Sequence, residues 1–517
     1  MRLSLLLGSG RVAAEPSAGR RVRPSTWLYL AVAVLASTPA WIVKHPPMQD
    51  LPFHLATIRA IRSYHDPAYG FDQNFVLTFG RTQYVVYYLI GAALAVFVGV
   101  VAANVILVCA CLGGTVLALR SLLTALGRDE RLTLLVVPLL VNVMFMYGLL
   151  PFLLAVPIMV WGLAIAVRHF ERPAPHTGAL LCVVALALFY SHVLPFGLFC
   201  IGYAAMFPWT KPSRWAFCAA PAVPVGLVLV WWTFFTAAGK LARGAATDNA
   251  GDPRRPIDAA IVDIPNWFTN VFRDTSDEHA LIALAIVVVA AFGLSLGDPD
   301  RSRPLSSNRS YVIVPIACVV FYFLLPEGHG YIWLIAQRFP ILFAITAIPL
   351  VRMPRGGRGV LVAAAALALG AASVVNVCQH FIRFELDEVG DIDGAIRAME
   401  PNRRVCALIY DKTSAILNNQ PFLHFGSYYQ VEKGGVVMFT YAGYAHWPID
   451  FRPDKYPPPG GPARLRWEWT PELVSMREVY PYYDYVLTRG PGFQPPAGTY
   501  HLKFRDPHWS VWEKDGR

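Results

Sequence analysis

The stretch HPPMQDLPFHLATIRAIR, residues 45–62, follows directly on the apolar run WLYLAVAVLASTPAWIV. It sets Asp50 and His54 four residues apart. Pro52 suits the first turn of a helix, and residues four apart share a helix face. A carboxylate placed there can take a proton from a hydroxyl as a general base, with an imidazole beside it. An acid at a membrane boundary costs free energy unless paired or solvated, which marks Asp50 as a functional candidate. The simpler reading has Asp50 facing the positive helix N-terminus and His54 filling the interface. Gln49 is a neighbouring candidate contact to substrate. Asp50 is the residue here that could help to hold a divalent cation, Mg²⁺ or Mn²⁺, and the metal requirement stays open.

A second group lies in PEGHGYIWLIAQRFP, residues 326–340. Glu327 and His329 sit in a Gly-rich turn, and Gln337 and Arg338 enter the next apolar run. Arginine in an apolar run needs an anionic partner. A guanidinium fork matches phosphate oxygens, so Arg338 reads as a phosphate clamp. Snorkelling, or a pair with an internal carboxylate, accounts for it equally. His192 in YSHVLPFG sits at a turn in an apolar stretch, as a site residue or a structural one.

These residues need a scaffold, and the composition describes it. Of 517 residues, 55% are hydrophobic and 15% charged. Soluble domains carry about 25% charged residues, so the balance is that of a polytopic membrane protein. The net charge of +10 fits basic loops that set orientation. No basic, aromatic-interleaved face points to nucleic acid. No Cys or His spacing points to zinc or to a disulfide framework.

Spanning helices need about 20 apolar residues. Runs near 26–43, 84–100, 102–124, 131–148, 150–167, 214–237, 279–296, 310–326, 334–351 and 357–377 qualify. Residues 176–208, broken at SHVLP, make one kinked crossing or two short ones. The expected fold is a polytopic α-helical membrane protein of about 11–13 transmembrane helices, over residues 1–379. A first outer loop, 44–82, carries an amphipathic helix lying in the interface plane. GRRVRP, TKPSR, DPDRSRPLSSNR and VRMPRGGRG place the N-terminus in the cytoplasm and residues 44–82, 238–278 and 326–333 outside. From about 380 the composition becomes more charged and richer in Pro, Gly, Tyr and Trp. DGAIRAME reads as a helix, and RRVCALIY, YDYVLTRG and YHLKF read as strands. Residues 380–517 are therefore expected to form an extracytoplasmic α/β domain.

The order of these features resembles the C-type (GT-C) integral membrane glycosyltransferases, which use polyprenyl-phosphate-linked sugars. The likeness is carried by MQDLPFHLA, RTQYVVYYLIGAAL, NVMFMYGLLPFLLAVPIMV, YSHVLPF and IAQRFPILFA. It covers the membrane part, about 350 residues. That family usually has an acidic pair, Asp-x-Asp or Glu-x-Asp, in its first outer loop. Here Gln and Met precede Asp50, and Asp50 alone is carried over. The resemblance implies an inverting transfer from a lipid-linked sugar donor to a glycan, lipid or protein acceptor. Asp50 would be the base, and Arg338, with His54 or His329, would stabilise the departing phosphate. The setting is a bacterial inner membrane, in contact with membrane lipid. The alternatives are a transporter or flippase, or a non-catalytic assembly protein, for lipid-linked glycans.

Overall fold

The computed structural model describes residues 24–516 apart from 81, 237, 241–242, 244–253, 297, 299–309, 330–331, 443, 445 and 459–466. Nearly all of GRRVRP and DPDRSRPLSSNR lies outside the described residues.

Among the described residues, four helices are long and apolar enough to cross a membrane: Val100–Ala125, Leu150–Glu171, Ser276–Ser295 and Gly356–Asp387. Pro212–Ala219 and Ala222–Phe235 together make a fifth, bent by 52°. Thr26–Ala40, Val86–Val98, Pro175–Phe189, Val193–Met206, Ile313–Leu324 and Ala336–Leu350 are apolar but shorter. Their outward faces carry bulky apolar side chains such as Phe97, Leu227, Phe235, Val289 and Leu361, each more than half exposed. That is the surface of a helical protein integrated in a membrane. Between Val98 and Val100 the chain turns at Gly99, where φ is +82°, a region that suits residues without Cβ.

Two expected runs differ from a single crossing. Residues 131–148 are not a spanning helix but a 3₁₀ helix, Glu130–Leu139, and a short α-helix, Val143–Met146. Pro138 has no N–H for the helical ladder. Asn142 then stops and restarts the helix. Its amide donates to the Leu139 carbonyl at 2.8 Å, and its Oδ1 accepts from the Met144 N–H at 2.9 Å. Residues 176–208 form two separate helices that break at Tyr190–His192.

The helix after the first apolar segment, Leu51–Arg62, presents no free face. Residues 51–58 are all buried. Helix Val86–Val98 packs on one side and Ser427–Lys433, from the C-terminal part, on the other. The basic side is used in this packing. Arg59 Nε donates to the Val431 carbonyl at 2.8 Å, and its guanidinium lies 5.1 Å from the Tyr69 ring.

The strands are β1 (Phe75–Leu77), β2 (Gly328–His329), β3 (Ile332–Trp333), β4 (Arg404–Ile409), β5 (Val436–Val437), β6 (Ile449–Phe451), β7 (Tyr485–Arg489), β8 (Tyr500–Arg505) and β9 (Trp509–Lys514). β5-β4-β7-β9-β8 form one sheet. β4 pairs in parallel with β5 and β7, while β9 is antiparallel to β7 and β8. β4 and β7 are almost wholly buried, as a near-continuous apolar run demands. The expected strands in RRVCALIY, YDYVLTRG and YHLKF and the helix in DGAIRAME (here Ile392–Ala398) are all present.

No break falls at residue 380, because helix Gly356–Asp387 runs through it. Buried Arg489 ties the helix end to the sheet. It donates to the Glu388 carbonyl at 2.7 Å and stacks 3.4 Å from the Phe422 ring centre. Nor does the C-terminal part stand apart. β6 pairs antiparallel with β1 of the first loop, Val76 opposite Asp450. The described residues between 417 and 458, with 467–469, thereby cover the loop that carries Asp50.

Asn142→Ala should remove a buried cap and lower stability by about 1–3 kcal/mol. A thermal unfolding midpoint unchanged in detergent would show that the cap does not hold this break.

Candidate active site

Asp50 stands at the N-terminus of helix Leu51–Arg62, and its backbone is fixed before its side chain acts. The Gln49 N–H donates to the Met146 carbonyl at 2.9 Å, and the Asp50 N–H to that of Tyr147 at 3.1 Å. Asn419, from the C-terminal part, donates to the Pro47 and Met146 carbonyls at 2.9 and 3.1 Å. Gly148 makes the close approach possible. Its φ is +74°, and a Cβ there would sit 3.1 Å from the Asp50 nitrogen.

The Asp50 carboxylate meets two groups. Oδ1 lies 3.2 Å from His424 Nε2, an ion-pair contact off hydrogen-bond alignment. Oδ2 accepts from the Tyr441 hydroxyl at 3.1 Å. His424 Nδ1 in turn contacts Glu468 Oε1. The three groups form a row, carboxylate–imidazole–carboxylate, each at most 8% exposed. Phe53 stacks on the His424 ring at 4.0 Å between centroids. Burial opposes charge on His424, but Glu468 and Asp50 outweigh it and raise its pKa to about 9. It is therefore an imidazolium at neutral pH. Tyr441 is pushed well up, by burial and then by Asp50, so its hydroxyl stays a donor.

His54 lies on the same helix but serves differently. Its Nε2 is 2.9 Å from the Gly148 carbonyl and its Nδ1 is 2.8 Å from the Tyr88 hydroxyl. A carbonyl only accepts, so Nε2 carries the proton and Nδ1 accepts. Burial lowers its pKa to about 4, against the pull of Asp50. Its ring is neutral, and it braces the wall.

Across the cavity lies Arg338, 6% exposed at the start of an apolar helix. Nη2 donates to the Trp333 carbonyl at 3.2 Å, Nη1 contacts His192 Nε2, and Nε has no hydrogen-bond partner. Among the described residues no carboxylate pairs with it. The Leu194 N–H also approaches His192, at Nδ1, 3.2 Å away. A neutral imidazole accepts at one nitrogen only, so donors outnumber acceptors at this end. A guanidinium buried without an anion costs several kcal/mol.

One cavity of about 760 Å³ joins the two ends. Gln49, Asp50, His54, His424 and Glu468 line it, together with His192 and Arg338. Tyr84, Phe152, Tyr441 and Trp447 are among the aromatic walls. Five of the eight residues singled out from sequence thus meet. Glu327, His329 and Gln337 do not reach the lining. Glu327 pairs with Arg255 at 2.6 Å, which also pairs with Asp263. His329 belongs to the β2–β3 hairpin that delivers Trp333 to the rim. Gln337 is buried beside Arg338, its Oε1 without a hydrogen-bond partner.

His424, Glu468 and Tyr441 were not anticipated. Their signal is a polar residue among aromatics, as in PFLHFG and RWEWT. Among the described residues, no group of three or more His, Cys, Asp or Glu is arranged to hold a metal ion. Asp50 is already met by an imidazolium and a phenol, which does not make a cation cradle. No family model matches the chain, and comparison with curated proteins gives no match.

The two histidines set a pH window. His424, raised, contributes stability that is fully present below its ordinary 6.5 and lost as pH rises through about 9. His54, lowered, contributes stability present above 6.5 and lost as pH falls through about 4. The two contributions together should therefore be greatest near pH 6.5 and decline toward about 9 and about 4. Glu468→Gln should move the alkaline limb toward neutrality, followed by thermal unfolding across pH. A limb that stays in place would show that Glu468 does not hold the His424 charge.

Proposed function

We propose that the chain is a polytopic GT-C-like membrane glycosyltransferase that moves a sugar from a polyprenyl-phosphate donor to a hydroxyl acceptor, with inversion. One observation carries the reading: a carboxylate and a carboxylate-free buried guanidinium face a single cavity of about 760 Å³, within the usual range for small-ligand sites, about 300–1,000 Å³. The donor phosphate takes the place of the missing anion at Arg338. This satisfies guanidinium donors that are otherwise buried without an acceptor. The sugar then lies between Arg338 and Asp50 along the aromatic walls.

Asp50 accepts the proton of the acceptor hydroxyl as its oxygen attacks the anomeric carbon. The bond from that carbon to the phosphate oxygen breaks on the opposite face. The polyprenyl phosphate leaves with its charge, which Arg338 receives. His424 and Tyr441 orient the carboxylate, and Glu468 holds His424 charged. In this reading the cavity opens on the extracytoplasmic side of a bacterial inner membrane, with the C-terminal sheet on the same side.

Asp50→Asn should lower kcat by about 10²–10⁴-fold and leave polyprenyl-phosphate binding near wild type. Arg338→Gln should weaken binding of a polyprenyl phosphate by at least roughly tenfold, as expected for a lost charge-assisted contact. Unchanged binding in Arg338→Gln would remove the phosphate from this cavity, and full turnover in Asp50→Asn would remove the base.

A further inference from the structure

The cavity shared by Asp50 and Arg338 has two exposed residues in its described lining, Trp333 and Trp469. They belong to different parts of the chemistry. The Trp333 carbonyl accepts from Arg338 Nη2 at 3.2 Å. Trp469 follows Glu468, which reaches Asp50 through His424. Trp333 thus marks the guanidinium, and Trp469 the base.

Near the base the lining changes over a single residue. Glu468 is 4% exposed and Trp469 is 44% exposed. The row Glu468–His424–Asp50 is bracketed by two side chains of another kind, Trp469 after Glu468 and Gln49 before Asp50, and both line the cavity. Both are held in place. Lys412 Nζ donates to the Trp469 carbonyl and lies 5.8 Å from its ring centre, within cation–π range. The Gln49 N–H donates to the Met146 carbonyl at 2.9 Å, so Gln49 is positioned together with Asp50. An exposed indole and an amide beside a carboxylate match one kind of acceptor. The face of a sugar ring presents C–H bonds, whose positive ends suit the negative π face of an indole. Sugar hydroxyls both donate and accept hydrogen bonds, as a primary amide does. A hydrocarbon chain would use the indole but leave the amide without a partner.

We infer that the acceptor is a saccharide, one ring stacked on Trp469, a hydroxyl held by the Gln49 amide and the attacking hydroxyl turned to Asp50. This rests on the transferase reading above and adds the acceptor class to it. The reaction then extends a glycan by one sugar. The acceptor oxygen bonds to the anomeric carbon and its proton passes to Asp50. The bond from that carbon to the phosphate oxygen breaks, and the polyprenyl phosphate leaves with the electron pair. Aromatic walls with a few placed polar groups orient small ligands in this way.

The test uses the full chain in detergent, probed on a printed array of oligosaccharides and then by titration calorimetry with the one held best. The wild type should retain at least one oligosaccharide. Trp469→Ala should weaken that binding roughly tenfold, the scale of one lost aromatic contact, and leave polyprenyl-phosphate binding near wild type. Trp469→Tyr, which keeps an aromatic face, should retain most of it. Gln49→Met, which removes the amide at similar length, should weaken it roughly fivefold, as for one lost hydrogen bond. An array on which nothing is held, or saccharide binding indifferent to Trp469→Ala, overturns the proposal. Farnesol or a serine-rich peptide bound more tightly than any oligosaccharide, and weakened by Trp469→Ala, assigns the mouth to a lipid or a peptide and overturns it too. A wild type that holds saccharide at Trp469 but no polyprenyl phosphate supports the saccharide site and removes the donor reading instead. Should Trp469→Ala fail to fold, Trp469→Leu, which keeps apolar volume without a π face, takes its place.

Discussion

A guanidinium buried at the start of an apolar helix, with no carboxylate partner among the described residues, is the constraint from which the site's organisation follows. Arg338 touches a backbone carbonyl and a neutral imidazole, neither of which carries a negative charge. Low dielectric makes such an arrangement costly. Across the cavity the imbalance has the opposite sign, because two carboxylates share one imidazolium. A cavity with an excess positive end and an excess negative end suits a ligand with an anionic head and an adjacent hydroxyl chemistry. Aromatic walls line the space they share.

The negative end is held by the fold rather than by its own helix. Asp50 is pinned through its backbone by the Met146–Tyr147 turn and through its side chain by groups from beyond residue 417. The β1–β6 pairing and the burial of helix Leu51–Arg62 against Ser427–Lys433 bring those groups in. Trp447 shows the same closure, since its indole N–H donates to Thr57 at 2.9 Å. The C-terminal sheet therefore anchors a segment that completes the cavity, while Arg489 fixes the sheet to the long helix.

Much of this was legible in order and type. Apolar runs marked the long apolar helices, and Pro138 with Asn142 explains why the run 131–148 breaks instead of forming one. Asp50, Gln49, His54, His192 and Arg338 were visible because polar groups in apolar surroundings stand out. Their roles were less so. His54 looked like a partner of Asp50 on one helix face, yet its two nitrogens are committed to Gly148 and Tyr88. Glu327 stood among the candidate residues, but Arg255, far away in sequence, takes it. His424 and Glu468 lay in a segment whose local pattern speaks of a small soluble domain. Only long-range pairing brings it over Asp50, and no short-range periodicity encodes that.

The most direct measurement is a structure of the protein with a bound polyprenyl phosphate. The phosphate is expected within hydrogen-bonding distance of the Arg338 guanidinium, with open space between it and Asp50 large enough for one sugar. A phosphate held elsewhere, with Arg338 instead paired to a carboxylate of the protein, would contradict the account.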